Sequence, residues 1–487
     1  MLRLKAVSFS LSGDVIFENI SLSATSSDRI ALIGDNGSGK TTLLKLIAGE
    51  LQPDSGAVDR SVVASVRQVI SPTAIVSNIF RNAEQWMVER AMEEVGLDMQ
   101  ILNRTFGEIS GGQATRVSIA AILALSEAPD FILLDEPTNN LDAEGLEWLV
   151  EFLDTFEGGV IVASHDRGFI DNFANKIWSI EGKKVVQTNG NYSTYKTNKD
   201  ADAKYMSQLY ESKQEERRKI KRLIRIATQK SQSASRVQRR DNDKMLYHSK
   251  KEGVQKKAGQ ELRRLTSRER HIEAIDRPLV EKSYGATLLS PQARVKALLS
   301  LEDVTKSFEK PDSTIIFKQS LTVYAGRRII LSGRNGSGKT TLLRIIARDL
   351  LPTSGRVIVS PSVNVGYFSQ DTYELDMTLT PIELLTPYCE DISEAYKRLR
   401  TLGVGAPKAA QAKIATLSRG QQAKIGLAKL ILNGSDLLVL DEPTNHLDIS
   451  TRSVMEDMLD RYRGAIIYAS HDEAFVNRIG SDERVEL

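Results

Sequence analysis

The chain has 487 residues, 41% hydrophobic and 26% charged, with a net charge of +2, an ordinary globular composition long enough for two or three domains. A single cysteine, Cys389, excludes a disulfide framework and fits a reducing compartment. No run of about 18 apolar residues occurs, which excludes a spanning helix, and the first residues, MLRLKAVSFSLSG, alternate like a strand and lack the apolar core of a signal peptide, so a cytoplasmic location is expected.

In chain order, LRLKAVSFSL near the N-terminus reads as a strand of an antiparallel portion. RIALIG then runs into a glycine loop, Gly34, Asp35, Asn36, Gly37, Ser38, Gly39, Lys40, Thr41 and Thr42, which opens the helix pattern TTLLKLIAG. ISGGQ follows at 109–113. FILLDE and GVIVAS are short, continuous apolar runs, as expected of parallel strands covered on both faces. SHD closes the second of these at Ser164, and the first unit is expected to end near Gly190–Lys196.

The next stretch, 196–296, is of a different kind. From Arg217 to Arg270 it holds 19 Lys and Arg against 5 Asp and Glu, a net +14 in a chain of net +2. Such a segment is either a solvated linker or an anion-binding surface suited to nucleic acid phosphates. Tyr205, Leu209, Ile220, Leu223, Ile224 and Ala227 recur at helical spacings, as do Leu262, Leu265, Ile272 and Ile275, with Pro278 ending the second run. Two helices packed as an antiparallel hairpin through this stripe are expected, with an irregular basic tip near 231–253. About 33 residues per arm at about 1.5 Å each would reach roughly 50 Å.

From about Ala297 the first unit repeats. LLSLEDVTKSF and RIILSG lead into a second glycine loop, Gly333, Arg334, Asn335, Gly336, Ser337, Gly338, Lys339, Thr340 and Thr341. LSRGQQ, LLVLDEPTNHLD and IYASHD follow, at offsets of 299 (Lys40 to Lys339), 308 (Ser110 to Ser418) and 306 (Glu136 to Glu442, His165 to His471). The expected class is α/β: two like domains, 1–195 and 297–487, joined by the helical segment.

The chemistry of these loops is phosphate binding. Their glycines let successive backbone N–H groups converge on phosphate oxygens at a helix N-terminus. Lys40 and Lys339 would neutralise the terminal phosphates of ATP, and the Thr41 and Thr340 hydroxyls would ligate Mg²⁺. Asp135 and Asp441, ending apolar strands, would hold the same ion directly or through water. The adjacent Glu136 and Glu442 are placed to polarise a water against the γ-phosphate.

ISGGQ, DEPTNNLD and SHD, in order and in duplicate, resemble the signature, Walker B with D-loop, and switch-histidine motifs of ATP-binding-cassette ATPases. That resemblance implies two P-loop cassettes closing head to tail on two ATP molecules. Ser110, Gly111, Gly112 and Gln113 would then complete the site of Lys339. Ser418, Arg419, Gly420 and Gln421 would complete the site of Lys40. By the same resemblance His165 and His471 contact the γ-phosphate, Gln68 and Gln370 sense Mg²⁺ and the attacking water, and Phe308 stacks on adenine in the second cassette. The first cassette departs there, with Leu11 at the stacking position and Phe9 nearby. Arg419 stands where the signature usually has glycine, so the two sites are expected to be unequal and both able to hydrolyse.

Two cassettes on one chain around a charged helical linker, with DEPTNxLD in both halves and GNYSTY before the linker, resemble the soluble ABC-F ATPases. The resemblance implies ATP-dependent binding at the ribosomal exit-site region. The linker would reach toward the peptidyl-transferase centre, against large-subunit rRNA and exit- or peptidyl-site tRNA, and the chain would act as a monomer away from membranes. The spacing from Gln68 to Ser110 leaves no room for the arm of several housekeeping factors. The linker, with RDNDKM and QKKAGQELRR, resembles antibiotic-resistance members that protect the ribosome. The alternatives are a housekeeping ABC-F translation factor, the ATPase subunit of a multicomponent transporter, or a DNA-directed ATPase. The last usually needs longer coiled coils or zinc sites, and no Cys/His cluster occurs here.

Overall fold

The structure is a computed structural model that describes residues 1–59, 62–65, 71–139, 141, 143–236, 260, 263–264, 266–267, 297–308, 318–334, 336–369, 375–445 and 447–487, with side chains described only to Gln229 in the helix that ends at Arg236. Its contacts divide the chain into two units, Met1–Tyr195 with Ser283–Leu487, and Lys196–Lys282.

In the first unit the same architecture appears twice. A six-stranded sheet has the order β5-β6-β7-β3-β8-β9, where β3 is Arg29–Ile33, β5 Val63–Ser65, β6 Phe131–Asp135, β7 Gly159–Ala163, β8 Lys176–Glu181 and β9 Lys184–Asn189. Every pairing is parallel except β8 with β9. Its counterpart has the order β14-β15-β16-β12-β17, with β12 Arg328–Ser332, β14 Val365–Phe368, β15 Leu437–Asp441, β16 Ala465–Ala469 and β17 Glu483–Glu486. The continuous apolar runs fit the expected burial on both faces. Ala31, Ile132, Leu134, Val160 and Val162 face one core, while Ile30, Leu32, Leu133, Ile161 and Trp178 face another. Each of these Ile, Leu and Val side chains contributes about 1.5–3 kcal/mol by leaving water.

The antiparallel portions are three-stranded: β2-β1-β4 (Asp14–Ala24, Leu2–Leu11, Ser55–Asp59) and β11-β10-β13 (Gln319–Tyr324, Ala297–Thr305, Ser354–Val359). Each central strand carries a bulge at a left-handed residue, Ala6 (φ 48°) or Asp303 (φ 45°). Opposite them lie Gly56 and Gly355, where an added Cβ would stand 2.4 Å from the Ala6 or Asp303 carbonyl oxygen. Only glycine lets the edge strand approach the bulge so closely.

The helix Tyr192–Arg236 spans 45 residues and belongs to the second unit from Lys196 on. It runs through Ser231–Arg236, where a tip was expected, because nothing in SQSASR stops a helix: there is no Pro or Gly. Ile220 and Ala227 are buried and Ile224 partly so, whereas Tyr205 and Leu223 are exposed and do not share the expected apolar stripe. The rest of the expected tip, and nearly all of the second arm, lie outside the described residues. Among the described residues no helix is long and apolar enough to cross a membrane.

Candidate functional site

Both glycine loops join a central parallel strand to a helix, β3 to Lys40–Ala48 and β12 to Lys339–Ile346. The chain turns tightly there through left-handed glycines, Gly37 and Gly39 (φ 80° and 104°) and Gly336 and Gly338 (φ 84° and 104°), so the loops fold back over their own lysines. Lys40 Nζ donates to the carbonyls of Gly34 (2.9 Å) and Asp35 (3.4 Å). Lys339 Nζ donates to those of Gly333 (2.6 Å) and Arg334 (3.1 Å). Burial lowers the Lys40 pKa, and the surrounding carboxylates of Glu136, Asp448, Asp135 and Asp35 oppose this. Ser38 Oγ and Ser337 Oγ are buried without a hydrogen-bond partner, the condition of hydroxyls built to meet an acceptor such as a phosphate oxygen. Asn335 lies outside the described residues.

Strands β6 and β15 deliver the carboxylates. Thr41 Oγ1 donates to Asp135 Oδ2 at 2.7 Å, and Thr340 Oγ1 to Asp441 Oδ1 at 3.1 Å. Burial raises both aspartate pKa values against these hydrogen bonds. A hydroxyl beside one carboxylate is a hard-oxygen donor set that suits Mg²⁺, which takes its remaining ligands from phosphates and water. Tyr367 OH also reaches Asp441 Oδ2, at 3.5 Å, while register places Ser65 at that position in the first cassette. Gln68 and Gln370 lie outside the described residues.

Glu136 and Glu442 follow with left-handed backbones, φ 51° and 45°, a conformation that costs a non-glycine residue about 1–2 kcal/mol. Each is pinned by its own N–H, donated to Ala163 O (2.8 Å) or Ala469 O (3.0 Å). This sets each glutamate beside the strand that ends in a histidine. His165 Nε2 lies 3.2 Å from Glu136 Oε1, 2.9 Å from Lys40 Nζ and 3.2 Å from Asn36 Oδ1. His471 Nε2 lies 3.5 Å from Glu442 Oε1, and the His471 N–H donates to Glu442 Oε2 at 3.3 Å. Burial raises both glutamates to about 7. Burial, with Lys40 and Arg452 nearby, depresses His165 to about 3, so its ring is neutral.

The two signature segments form helix starts of the same kind. Ser110 Oγ accepts from Gln113 N (3.2 Å) while Gln113 Oε1 accepts from Ser110 N (3.0 Å), and Ser418 with Gln421 repeats this at 3.3 and 3.1 Å. Serine and glutamine at this spacing are therefore a capping box as well as signature residues. Gly112 and Gly420 lie in the first turns, and a Cβ on Gly420 would meet Thr451 Oγ1 at 2.7 Å. Arg419 is exposed.

Across the cassettes, Ser110 and Gly111 line a cavity of about 320 Å³ together with Glu442, His471, Asp472 and Arg452. The structure thus brings the first signature to the second glutamate and histidine. At the other site Asn36 N donates to Asp448 Oδ2 (3.1 Å) and Ser450 Oγ to Asp35 Oδ1 (2.9 Å). Among the described residues, no hydrogen bond joins Ser418 or Arg419 to the first glycine loop there. Arg334 and Glu144 pair at 3.0 Å on the opposite side. Burial pushes the Asp448 carboxyl up, but hydrogen bonds from Thr451 and Asn36 hold it below the ordinary range. Phe308 is exposed, with Lys306 Nζ 5.4 Å from its ring centroid. In the first cassette Phe9 is buried in the core and Leu11 is exposed.

Asp448, Ser450, Arg452, Tyr367 and Arg167 were not singled out from sequence. Asp448 ends the DEPTNHLD run and Tyr367 sits in VGYFSQD, so both had a signal in the motifs; Arg452 and Arg167 had none.

Comparisons with known proteins agree along the chain. The family described as ABC transporter matches residues 17–139 and 317–445. The ribosome protection protein VmlR of Bacillus subtilis (strain 168) is 32% identical, over 100% of this chain and 86% of that protein. The ATP-binding protein Uup of Escherichia coli (strain K12) is 29% identical, over 96% of this chain and 77% of that protein. Among solved structures, the RNase-L Inhibitor covers 99% of this chain and 87% of its own at a TM-score of 0.63 and 17% identity, a likeness of fold.

Proposed function

The chain belongs to the ATP-binding-cassette ATPases, in their ABC-F branch, and from that premise we propose that it is a ribosome-bound ATPase that protects the large subunit through its linker. The observation that carries this reading is the match to a ribosome protection protein along the whole chain. The +14 segment 217–270 supports it, since such charge suits rRNA phosphates.

In this reading each ATP lies between one cassette's glycine loop and the other's signature. Lys40 with the N–H groups of 34–42, and Lys339 with those of 333–341, hold the phosphates. Mg²⁺, when bound, neutralises phosphate charge; Thr41, Asp135 and Gln68 would hold it in one site, Thr340, Asp441 and Gln370 in the other. Glu136 and Glu442 orient the attacking water and take its proton as carboxylates. His165 and His471 hold the γ-phosphate end beside them. Phe308 stacks on adenine at the second site. Closure on ATP sets 1–195 against 297–487, and the segment 196–296 carries that state to the peptidyl-transferase region in a cytoplasmic monomer.

The test is the double variant Glu136→Gln, Glu442→Gln with purified ribosomes. With ATP it should sediment with the large subunit, and without ATP it should not. A variant that stays at the top of the gradient in ATP would show the ribosomal reading to be wrong. Cells expressing the unaltered chain should also tolerate a drug of the large subunit that cells expressing a chain lacking 231–253 do not.

A further inference from the structure

Arg167 stands two residues after His165 and reaches into the second cassette. Its Nη1 donates to both carboxylate oxygens of Glu456, at 3.0 and 3.2 Å, and its Nη2 donates to Ile449 O at 3.1 Å. The pair is buried, with 11% and 1% of the two side chains exposed. Arg478 Nη1 lies 3.5 Å from Glu456 Oε2.

Glu456 belongs to the helix Ile449–Asp460, which begins at Asp448. The start of this helix meets the first glycine loop through Asp448 and Ser450. One turn on, Arg452 lines the cavity of the second site and pairs with Asp472 at 3.0 Å. A further turn on, Glu456 grips the segment that carries His165. A single helix therefore touches both sites. At the duplication offset of 306, Arg167 corresponds to Glu473 and Glu456 to Val150, so the pair has no counterpart across the cassettes.

We propose that the Arg167–Glu456 pair is a positioning device for the first site alone, holding His165 in register only while the second cassette is docked. This rests on the roles given above to His165 and the two glutamates. Desolvating two charges makes a buried pair a weak source of stability, whereas removing one partner leaves an unpaired buried charge. What the planar guanidinium does supply is orientation, since Nη1 is fixed on the Glu456 carboxylate and Nη2 on the Ile449 carbonyl. An error on the order of 1 Å in such placement can cost roughly a hundredfold in rate.

Single-turnover ATP hydrolysis of the full chain tests this in two backgrounds. Glu442→Gln leaves the first site to turn over, and Glu136→Gln leaves the second. Arg167→Ala should slow the first-site rate by roughly ten- to a hundredfold, with the half-saturating ATP concentration within about twofold. It should change the second-site rate by less than about threefold. Arg167→Lys, which keeps the charge and loses the second anchoring nitrogen, should fall between, and serves alone if the alanine variant does not fold. Exchange of the charges, Arg167→Glu with Glu456→Arg, should recover part of the first-site rate. Equal slowing at both sites, or slowing that tracks only a lowered Tm, overturns the coupling. Undiminished turnover in the double glutamine variant overturns the glutamate roles and the coupling with them.

Discussion

His165 Nε2 lies 3.2 Å from Glu136 Oε1, and the two groups have opposite pKa displacements from one cause. Burial drives the carboxyl up to about 7 and the imidazole down to about 3, since a low-dielectric site disfavours whichever form carries charge. At neutral pH the ring is therefore uncharged, while the glutamate stands at its own titration midpoint.

The first consequence is a rate profile. A general base must be ionised, so kcat/KM for ATP should rise tenfold per pH unit below about 7 and level off above it. The second site should behave alike, because burial also raises Glu442 to about 7. His165, neutral throughout, adds no limb between pH 5 and 9. Steady-state kinetics in buffers of matched ionic strength check this; a midpoint near 4.5 would contradict it.

Stability carries the same shift with its sign reversed from the usual carboxylate case. The folded-state value of Glu136, about 7, lies above the ordinary 4.5. Its contribution is thus fully present below about 4.5 and is lost as pH rises through about 7. Glu136→Gln removes the ionisation, so it should stabilise the nucleotide-free protein at pH 8 by on the order of 1–3 kcal/mol. It should change little at pH 4.5. Thermal melts at the two values measure the difference; an equal shift at both would count against it.

Much of this was legible because local chemistry and local structure coincide. The glycine loops need left-handed glycines at Gly37, Gly39, Gly336 and Gly338, and the strands before them are apolar because both faces are covered. The second set of contacts is legible only in three dimensions. Arg167 and Glu456 are 289 residues apart, and each alone reads as a charged residue on a helix. Tyr367 beside Asp441 depends on strand order, since β14 pairs with β15. The helix through Ser231–Arg236 shows the converse: polar residues without Pro or Gly read as a tip, but helix propensity continued through them.

A bulge glycine and a turn glycine give a sharp stability contrast. Gly355→Ala places a Cβ 2.4 Å from the Asp303 carbonyl oxygen at φ +84°, a clash with backbone that cannot swing away. The left-handed strain and the overlap together should cost about 2–4 kcal/mol. Gly13→Ala carries the strain alone, since φ is +93° with nothing within 4 Å of the new Cβ, and should cost about 1–2 kcal/mol. Urea unfolding of both variants checks the ordering.

Asp171 lies on the helix Arg167–Phe173, which is capped by Asp166 directly after His165. Its carboxylate accepts from Ser193 N at 2.7 Å and from Ser193 Oγ at 2.6 Å. One short helix thus joins the histidine of the first site to the first turn of the long helix that begins at Tyr192. Tyr195, one turn on, is buried and shares a 3.0 Å hydrogen bond with Ser179, so the root is held from both sides of that turn. Asp171→Ala removes an acceptor from two donors and should weaken this first turn by about 1 kcal/mol, the usual worth of a lost cap. Hydrogen exchange of amides 193–197 should accelerate roughly fivefold, with basal ATP hydrolysis within about twofold because no group assigned to the chemistry is altered. Asp171→Asn, which keeps one acceptor oxygen, should show about half the free-energy change. Unchanged exchange in the alanine variant would mean that the contacts of Tyr192 and Tyr195 hold the root without Asp171.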